Sequence, residues 1–117
     1  MSTLALPTIS DDQMRTGLAT LHSYAIALLK KGPNYAPPTS DPIIWEHGRR
    51  NFALRAAGLL SIVCPVIDQS EMAGVSIFNL EPARVQEIMA ADPAVQAGVL
   101  TFEVHPVRSF AGDTLPA

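Results

Sequence analysis

The chain has 117 residues and a mass of 12.5 kDa, and 48% of its residues are hydrophobic, which is enough for one compact core but not for two. Its net charge of −3 comes from 11 acidic and 8 basic residues without a long run of either sign, so we expect no nucleic-acid partner. No apolar stretch reaches the roughly 20 residues of a membrane span and the N-terminus lacks a signal-peptide pattern, so we expect a cytoplasmic protein without membrane contact.

The first 22 residues are predicted to form a mobile tail and a short helix. Residues 1–9 show no hydrophobic period, and Ser10 then offers an N-cap for a short amphipathic helix. Residues 23–29 are apolar at consecutive positions, which predicts a strand that is covered on both faces. The prolines and turn residues of 30–38 predict a long loop that can cover a pocket.

Residues 41–58 predict a helix with two polar side chains on its buried side. Asp41 is a good N-cap, Pro42 suits the first helical position, and Gly58 supplies a left-handed stop. At about 100° per residue, one side of this helix is apolar except for a histidine and an asparagine. The residues on this inward side are Ile44, His47, Asn51 and Leu54.

Burial of an imidazole and an amide without partners costs roughly 1–3 kcal/mol each, so His47 and Asn51 must either bond to neighbours or line a cavity. Gly48 favours the cavity, because a glycine in mid-helix costs about 1 kcal/mol relative to alanine unless a close approach requires it. The alternative is a histidine that is simply a satisfied core residue, and this helix alone does not decide between the two. Trp45 and Phe52, seven residues apart, are expected to form a packing ridge.

The remaining segments predict three further strands and one further helix. Residues 60–66 and 74–80 predict two strands that form a hairpin. Residues 81–92 predict a helix whose inward stripe ends at Asp92, where an Asp-Pro pair stops it. Residues 100–105 alternate strictly between apolar and polar, which predicts a last strand that is stopped by the following proline.

The order strand, helix, strand, strand, helix, strand predicts an α+β, ferredoxin-like domain with a four-stranded antiparallel sheet and both helices on one face. We expect this domain at residues 23–110, between an N-terminal tail with a short helix at 1–22 and a C-terminal tail at 111–117. The first three strands are apolar on both sides, but the helices cover one face only, so the other face needs a cover. A second copy of the chain is the simplest candidate, which predicts a homodimer through the sheet faces.

Several of these residues occur in the order of a known family: a helix with His47, a strand that ends at Pro65, and a helix that runs into small residues before the last strand. The run AADPAVQAGV at residues 90–99 is the most specific part, and the sequence resembles YciI-like (YCII-related) proteins over about residues 24–107. The resemblance implies a dimeric α+β barrel with a histidine–aspartate pair, here His47 and Asp92, as the active site.

The sequence departs from this family at two positions that affect the pocket. Asn51 stands where the family usually has an apolar residue, and Cys64 replaces a common glycine, so both are candidate substrate-binding residues that make the pocket more polar or more reactive. As the only cysteine, Cys64 forms no internal disulfide, and we favour its interpretation as a small buried hydrophobe over a thiol that faces the pocket. Arg50 either belongs to a solvated face or reaches a ligand carboxylate at the rim.

An imidazole that is held by a carboxylate has a fixed tautomer and suits general acid or base catalysis near neutral pH. No phosphate-binding glycine loop, nucleophile elbow or zinc-protease motif is present, so we expect neither a cofactor nor a metal. A metal triad of His47, Asp92 and His105 is disfavoured, because His105 lies on the polar side of the last strand.

These residues favour a cofactor-independent enzyme of the lyase or isomerase type that moves protons on a small organic molecule. In this hypothesis His47 is the acid or base and Asp92 orients it. The alternative is a non-catalytic dimeric module that binds a small ligand or a protein partner.

Overall fold

The computed structural model describes residues 4–117, which form two compact units. The larger unit comprises Ser23–Arg108, and the smaller one contains the chain up to His22 together with Ser109–Ala117. None of the helices in residues 4–117 is long and apolar enough to cross a membrane. The elements, in chain order, are α1 (Asp11–Leu18), β1 (Leu21–Lys31), α2 (Asp41–Ala56), β2 (Leu60–Pro65), β3 (Met72–Phe78), α3 (Pro82–Ala90), α4 (Pro93–Gln96) and β4 (Leu100–Phe110).

The strands form one sheet in the order β2-β3-β1-β4. β3 pairs antiparallel with both β1 and β2, which confirms the hairpin predicted between the second and third strands. The connection from β1 to β2 contains α2, and the connection from β3 to β4 contains α3 and α4. The predicted α+β, ferredoxin-like fold with a four-stranded antiparallel sheet is therefore confirmed.

One face of the sheet carries the hydrophobic core. In the register of the central strands, Ala25 lies opposite Phe78 and Ala27 lies opposite Ser76, and all four side chains are buried. The inward stripe predicted for the second long helix is confirmed, because α3 buries three apolar side chains. These are Val85, Ile88 and Met89.

The opposite face of the sheet carries apolar side chains that lie outside the core cluster. Ile26 and Ile62 both lie opposite Ile77, so their side chains share this face, and Leu28 lies on it two residues further along β1. All four are half-buried, and none of them packs against the core cluster. A homodimer through this face stays a prediction.

The start of α2 differs from the prediction, whereas its end agrees with it. Ser40, rather than Asp41, occupies the N-cap position, and its hydroxyl accepts from the backbone N–H of Ala36 at 3.1 Å instead of capping the helix. Asp41 is the first residue of the helix and contributes a negative charge to its first turn. The predicted stop is confirmed, because the helix ends at Ala56 and Gly58 has a φ of 76°.

Three strands extend beyond their apolar runs or are shifted from them. The prediction that Pro106 stops the last strand is wrong, because β4 continues to Phe110. β4 lies at the edge of the sheet, where a proline on the unpaired side costs no ladder hydrogen bond. β1 is two residues longer at each end than the predicted 23–29, and β3 begins and ends two residues before the predicted 74–80.

The smaller unit contains a capped helix, as predicted. The Ser10 hydroxyl accepts from the backbone N–H of Gln13, and the Gln13 side chain accepts from the backbone N–H of Ser10, which forms a capping box for α1. Of the tail predicted at residues 1–9, residues 1–3 lie outside the described part of the chain, and residues 4–9 belong to no helix or strand. The boundaries of the domain stay a prediction.

Candidate active site

Asp92 stands at the N-terminus of α4, a short helix that was not predicted. The helix predicted at 81–92 ends at Ala90, and Asp92 then caps α4 by accepting from the backbone N–H of Ala94 at 2.9 Å through Oδ1. Pro93 follows at the first helical position, where no N–H is needed. The Asp-Pro pair therefore starts a helix as well as ending one.

The second oxygen of Asp92 contacts the imidazole of His47. Oδ2 lies 2.8 Å from Nδ1, and the side chains of His47 and Asp92 are 14% and 1% exposed. The inward side of α2 supplies the histidine, and the turn after α3 supplies the aspartate. The structure thus brings the two predicted catalytic residues together, and their catalytic role stays a prediction.

Burial acts to raise the pKa of the Asp92 carboxyl group, but the hydrogen bond and charge of His47 hold this pKa below its ordinary value. Backbone N–H groups of Ala94 and Val95 act in the same direction. Asp92 is therefore an anion at neutral pH. Because an anionic carboxylate only accepts hydrogen bonds, Nδ1 of His47 donates to it, and in the neutral form of the ring Nε2 carries the lone pair.

Asn51 contacts the other nitrogen of the same imidazole. Its Nδ2 lies 3.3 Å from Nε2 of His47, and the spacing of four residues on α2 places the two side chains on one face. With the ring proton on Nδ1, the Asn51 amide donates and Nε2 accepts. The amide therefore occupies the nitrogen through which His47 would exchange a proton with a ligand.

Arg50 points toward the pair rather than toward the rim of a pocket. Its Nη1 donates to the backbone carbonyl of Ile88 at 2.6 Å and lies 3.7 Å from Oδ2 of Asp92. Arg50 is not among the residues that line the cavity described below, and its contact with a ligand stays a prediction. The closeness of Arg50 to the pair was predictable from the sequence, because Arg50 follows His47 by three residues and such residues are neighbours on a helix.

His47 and Asn51 line a cavity of about 430 Å³ that α2 forms with the sheet. This volume falls within the range of about 300–1,000 Å³ that is usual for small-ligand sites. Lys31 and Tyr35, from the end of β1 and the loop after it, also line the cavity, as expected of a loop that covers a pocket. Gly48 is a further lining residue, and a Cβ atom there would meet no described atom within 4 Å, so close approach by the protein does not explain this glycine.

Cys64 lines the same cavity and is exposed, so the favoured interpretation as a buried hydrophobe is wrong. Cys64 lies near the end of β2, an edge strand that has a neighbouring strand on one side only. The packing ridge predicted for Trp45 and Phe52 is also wrong, because these residues are 70% and 69% exposed. The outer side of α2 is therefore partly apolar, and the pattern of inward-facing residues did not predict this.

His105 lies apart from the His47–Asp92 pair in its hydrogen bonding. Its Nε2 is 3.1 Å from Oε2 of Glu103, and both side chains are exposed on β4. Within residues 4–117, no group of three or more histidine, cysteine, aspartate or glutamate side chains is arranged to hold a metal ion.

A comparison with models of known protein families finds no match, and a comparison with curated proteins finds none either. Among solved structures, the chain is similar to 5-chloro-2-hydroxyhydroquinone dehydrochlorinase (TftG) from Burkholderia phenoliruptrix AC1100, in complex with 2,5-dihydroxybenzoquinone. The sequence identity is 16%, the match covers 69% of this chain and 90% of that chain, and the TM-score is 0.48. At this level of likeness, any statement about chemistry must come from the geometry of the site itself.

Proposed function

We propose that the protein is a cofactor-independent enzyme that transfers protons on a small organic molecule, in a reaction of the lyase or isomerase type. The observation that carries the proposal is the 2.8 Å contact between the buried Asp92 and the Nδ1 atom of a cavity-lining His47. Asp92 occupies Nδ1, so Nε2, which Asn51 contacts at 3.3 Å, is the ring nitrogen through which a ligand can exchange a proton.

The reaction begins when Nε2 of His47 accepts a proton from an acidic C–H or O–H group of the substrate. The imidazolium that forms is stabilised by the anionic Asp92 on its other side, and such general base catalysis typically contributes about 10²–10⁴-fold to a rate. Return of the proton to a different atom gives an isomerisation. Its delivery to a departing group gives an elimination, in which the substrate's C–H electron pair forms the new double bond.

Asn51 has a defined part in this step. Its amide donates to Nε2 in the resting state, so it must yield this nitrogen before the substrate's proton arrives. A rotated amide presents its oxygen to the new N–H, which satisfies the imidazolium. Asn51 can therefore hydrogen-bond to Nε2 in both protonation states of His47, which an apolar residue at this position cannot do.

Three further parts of the proposal concern the setting of the site. We place the chain among YciI-like proteins on the pattern around His47 and the run at residues 90–99. We propose a homodimer through the sheet face that carries Ile26 and Ile77, since the side chains on this face are apolar and do not pack against the core. We also propose a cytoplasmic location.

Deuterium incorporation tests the proton transfer without knowledge of the natural substrate. Small cyclic ketones, phenols and unsaturated carboxylates are incubated with the protein in D2O, and exchange at their acidic C–H positions is followed by NMR. We expect His47→Gln to abolish catalysed exchange and Asp92→Asn to reduce it. His105→Gln is the matched control, because it removes an exposed histidine outside the site and should leave exchange unchanged.

Exchange that survives in His47→Gln would refute the assigned base. A parent protein that binds members of the panel but exchanges none of them would favour the alternative function, a non-catalytic module that binds a small ligand.

A further inference from the structure

We propose that the cavity binds a small organic carboxylate with an apolar body, whose charged group is held by Arg55 and Lys31 at a distance from His47. This inference rests on the proposed function in that it names the class of ligand for the same site. It concerns binding alone, and so it can be tested separately from proton transfer.

The charge lining the cavity is of one sign. Arg55 and Lys31 both line it, whereas no aspartate or glutamate in the described part of the chain does so. This contrasts with the whole chain, whose net charge is −3. A cavity with cationic lining and no carboxylate favours an anionic ligand over a cationic one.

These two cations also lack the carboxylate partners that most others in the protein have. Five of the eight lysines and arginines lie within 4.0 Å of a carboxylate oxygen in the described part of the chain, but Arg55 and Lys31 do not. Lys31 donates to the backbone carbonyl of Ser70 at 2.6 Å and lies 5.5 Å from the ring centre of Tyr35. Arg55 lies 5.7 Å from the ring centre of Phe52. The charge of Lys31 also acts on the carboxylate of Asp68, which lies beyond 4.0 Å, so Arg55 is the less compensated of the two cations.

The helix separates the cation from the base. His47, Asn51 and Arg55 follow one another at intervals of four residues on α2, so they share a face and rise about 6 Å per interval. The Cα atoms of His47 and Arg55 are thus about 12 Å apart along the axis. A ligand whose carboxylate meets the guanidinium therefore places its apolar body, not its charge, beside Nε2.

The wall between the two ends fits such a body. Leu29, Val63 and Leu100 line the cavity and offer aliphatic contacts, and all three come from the sheet. Arg55 itself is exposed, so the carboxylate stays near solvent and avoids the cost of burying an ion. The fork of donors on a guanidinium also matches the two oxygens of a carboxylate.

Binding of benzoate and of its neutral analogue benzamide tests this assignment. The two probes share a ring and differ in charge, and their affinities are measured by NMR titration of the full chain. The parent should bind benzoate about tenfold more tightly than benzamide, as expected for hydrogen bonds to a charged group. Arg55→Gln and Lys31→Gln should each reduce this preference, and Arg108→Gln is the control. Arg108 also has no carboxylate within 4.0 Å in the described residues, but it lies outside the cavity.

The same titration in His47→Gln separates this inference from the proposed function. If the preference for benzoate persists there, the anion site stands whether or not the protein catalyses proton transfer. Equal affinity for the two probes in the parent overturns the inference, and so does an equal loss in Arg108→Gln and Arg55→Gln. Failure of benzoate to saturate the cavity below about 10 mM also overturns it.

Discussion

Replacement of Asp92 by asparagine changes one atom of the pair and leaves the shape of the side chain almost unaltered. Oδ1 still accepts from the backbone N–H of Ala94, so the cap of α4 remains. In the parent, Oδ2 lies 2.8 Å from Nδ1 of His47 and 3.7 Å from Nη1 of Arg50. In the variant, the NH2 group takes the place of this oxygen. A donor replaces an anionic acceptor, so the His47 ring must move its proton to Nε2, where the Asn51 amide must then rotate.

The cost of this change follows from the type of bond that is lost. A hydrogen bond to a charged group contributes about 1.5–3 kcal/mol, and a neutral one about 0.5–1.5 kcal/mol. Arg50 also loses its carboxylate, but its side chain is 28% exposed and water compensates in part. We therefore expect the free energy of unfolding of Asp92→Asn to be lower than that of the parent by about 1–2 kcal/mol near pH 5.

The pH dependence gives the sharper test, because the pKa of Asp92 lies below its ordinary value of 3.8. Burial of the carboxyl group acts to raise this pKa, but the hydrogen bond of His47 and the other favourable contacts outweigh it. A carboxyl group of this kind stabilises the fold above its pKa in the unfolded chain and loses this contribution as the pH falls through its lowered value in the fold. The parent should lose stability as the pH falls below about 4, since the lowered pKa of Asp92 lies under its ordinary value of 3.8, and the variant should not lose this component. The difference between the two proteins should therefore narrow in acid.

Urea unfolding of parent and variant at several pH values, at one fixed protein concentration, measures this difference. Asp68→Asn is the control. Hydrogen bonds from Ser70 also lower the pKa of Asp68, but this carboxyl group is fully exposed, so its replacement should change stability little at any pH. A stability difference for Asp92→Asn that stays constant from neutral pH to acid would refute the role assigned to its charge.

Two further pairs of variants test the fold and the assembly. Gly58→Ala should lower the free energy of unfolding by about 1 kcal/mol, because Gly58 has a φ of 76°. Gly48→Ala should raise the free energy of unfolding by about 0.5–1 kcal/mol, because Gly48 lies in mid-helix with open space around it. Urea unfolding decides this, and equal effects of the two changes would contradict the assignment. Ile77→Lys, on the sheet face opposite the core, should give a folded monomer. Phe78→Lys should unfold the chain, because Phe78 lies in the core and is 0% exposed. Light scattering and circular dichroism distinguish these results, and a parent that is monomeric at micromolar concentration would exclude the dimer.

The fold was predictable because the period of the hydrophobic pattern and the order of the elements agree with each other. The consecutive apolar run at 23–29 predicts a strand, and β1 is that strand, between β3 and β4 in the sheet. Strand ends were less predictable, since pairing partners rather than apolar residues decide where a strand stops. Pro106 illustrates this, because the same residue that would end a central strand is accepted in an edge strand.

The part of the site that depends on the spacing of residues along one helix was predictable from the sequence. Two polar residues on the inward side of α2, His47 and Asn51, indicated that partners must exist. The structure gives His47 two partners, Asp92 and Asn51 itself. The position of Arg50 depends on how α2 packs against the turn at Ile88, which no local pattern contains. The exposure of Cys64 likewise depends on the place of β2 at the edge of the sheet.

Asp92 has a structural role and a proposed chemical one, and its two oxygens separate them. Oδ1 caps α4 and Oδ2 holds His47, so Asp92→Asn removes the second contact alone, whereas Asp92→Ala removes both. The alanine variant should therefore be less stable than the asparagine variant by about 1 kcal/mol, the usual contribution of an N-cap, and urea unfolding of the two proteins measures this step. If proton exchange depends on the Oδ2 contact, both variants should reduce it to the same extent despite this difference in stability. Exchange that instead follows the stability of each variant would mean that Asp92 supports the fold and takes no part in orienting the base.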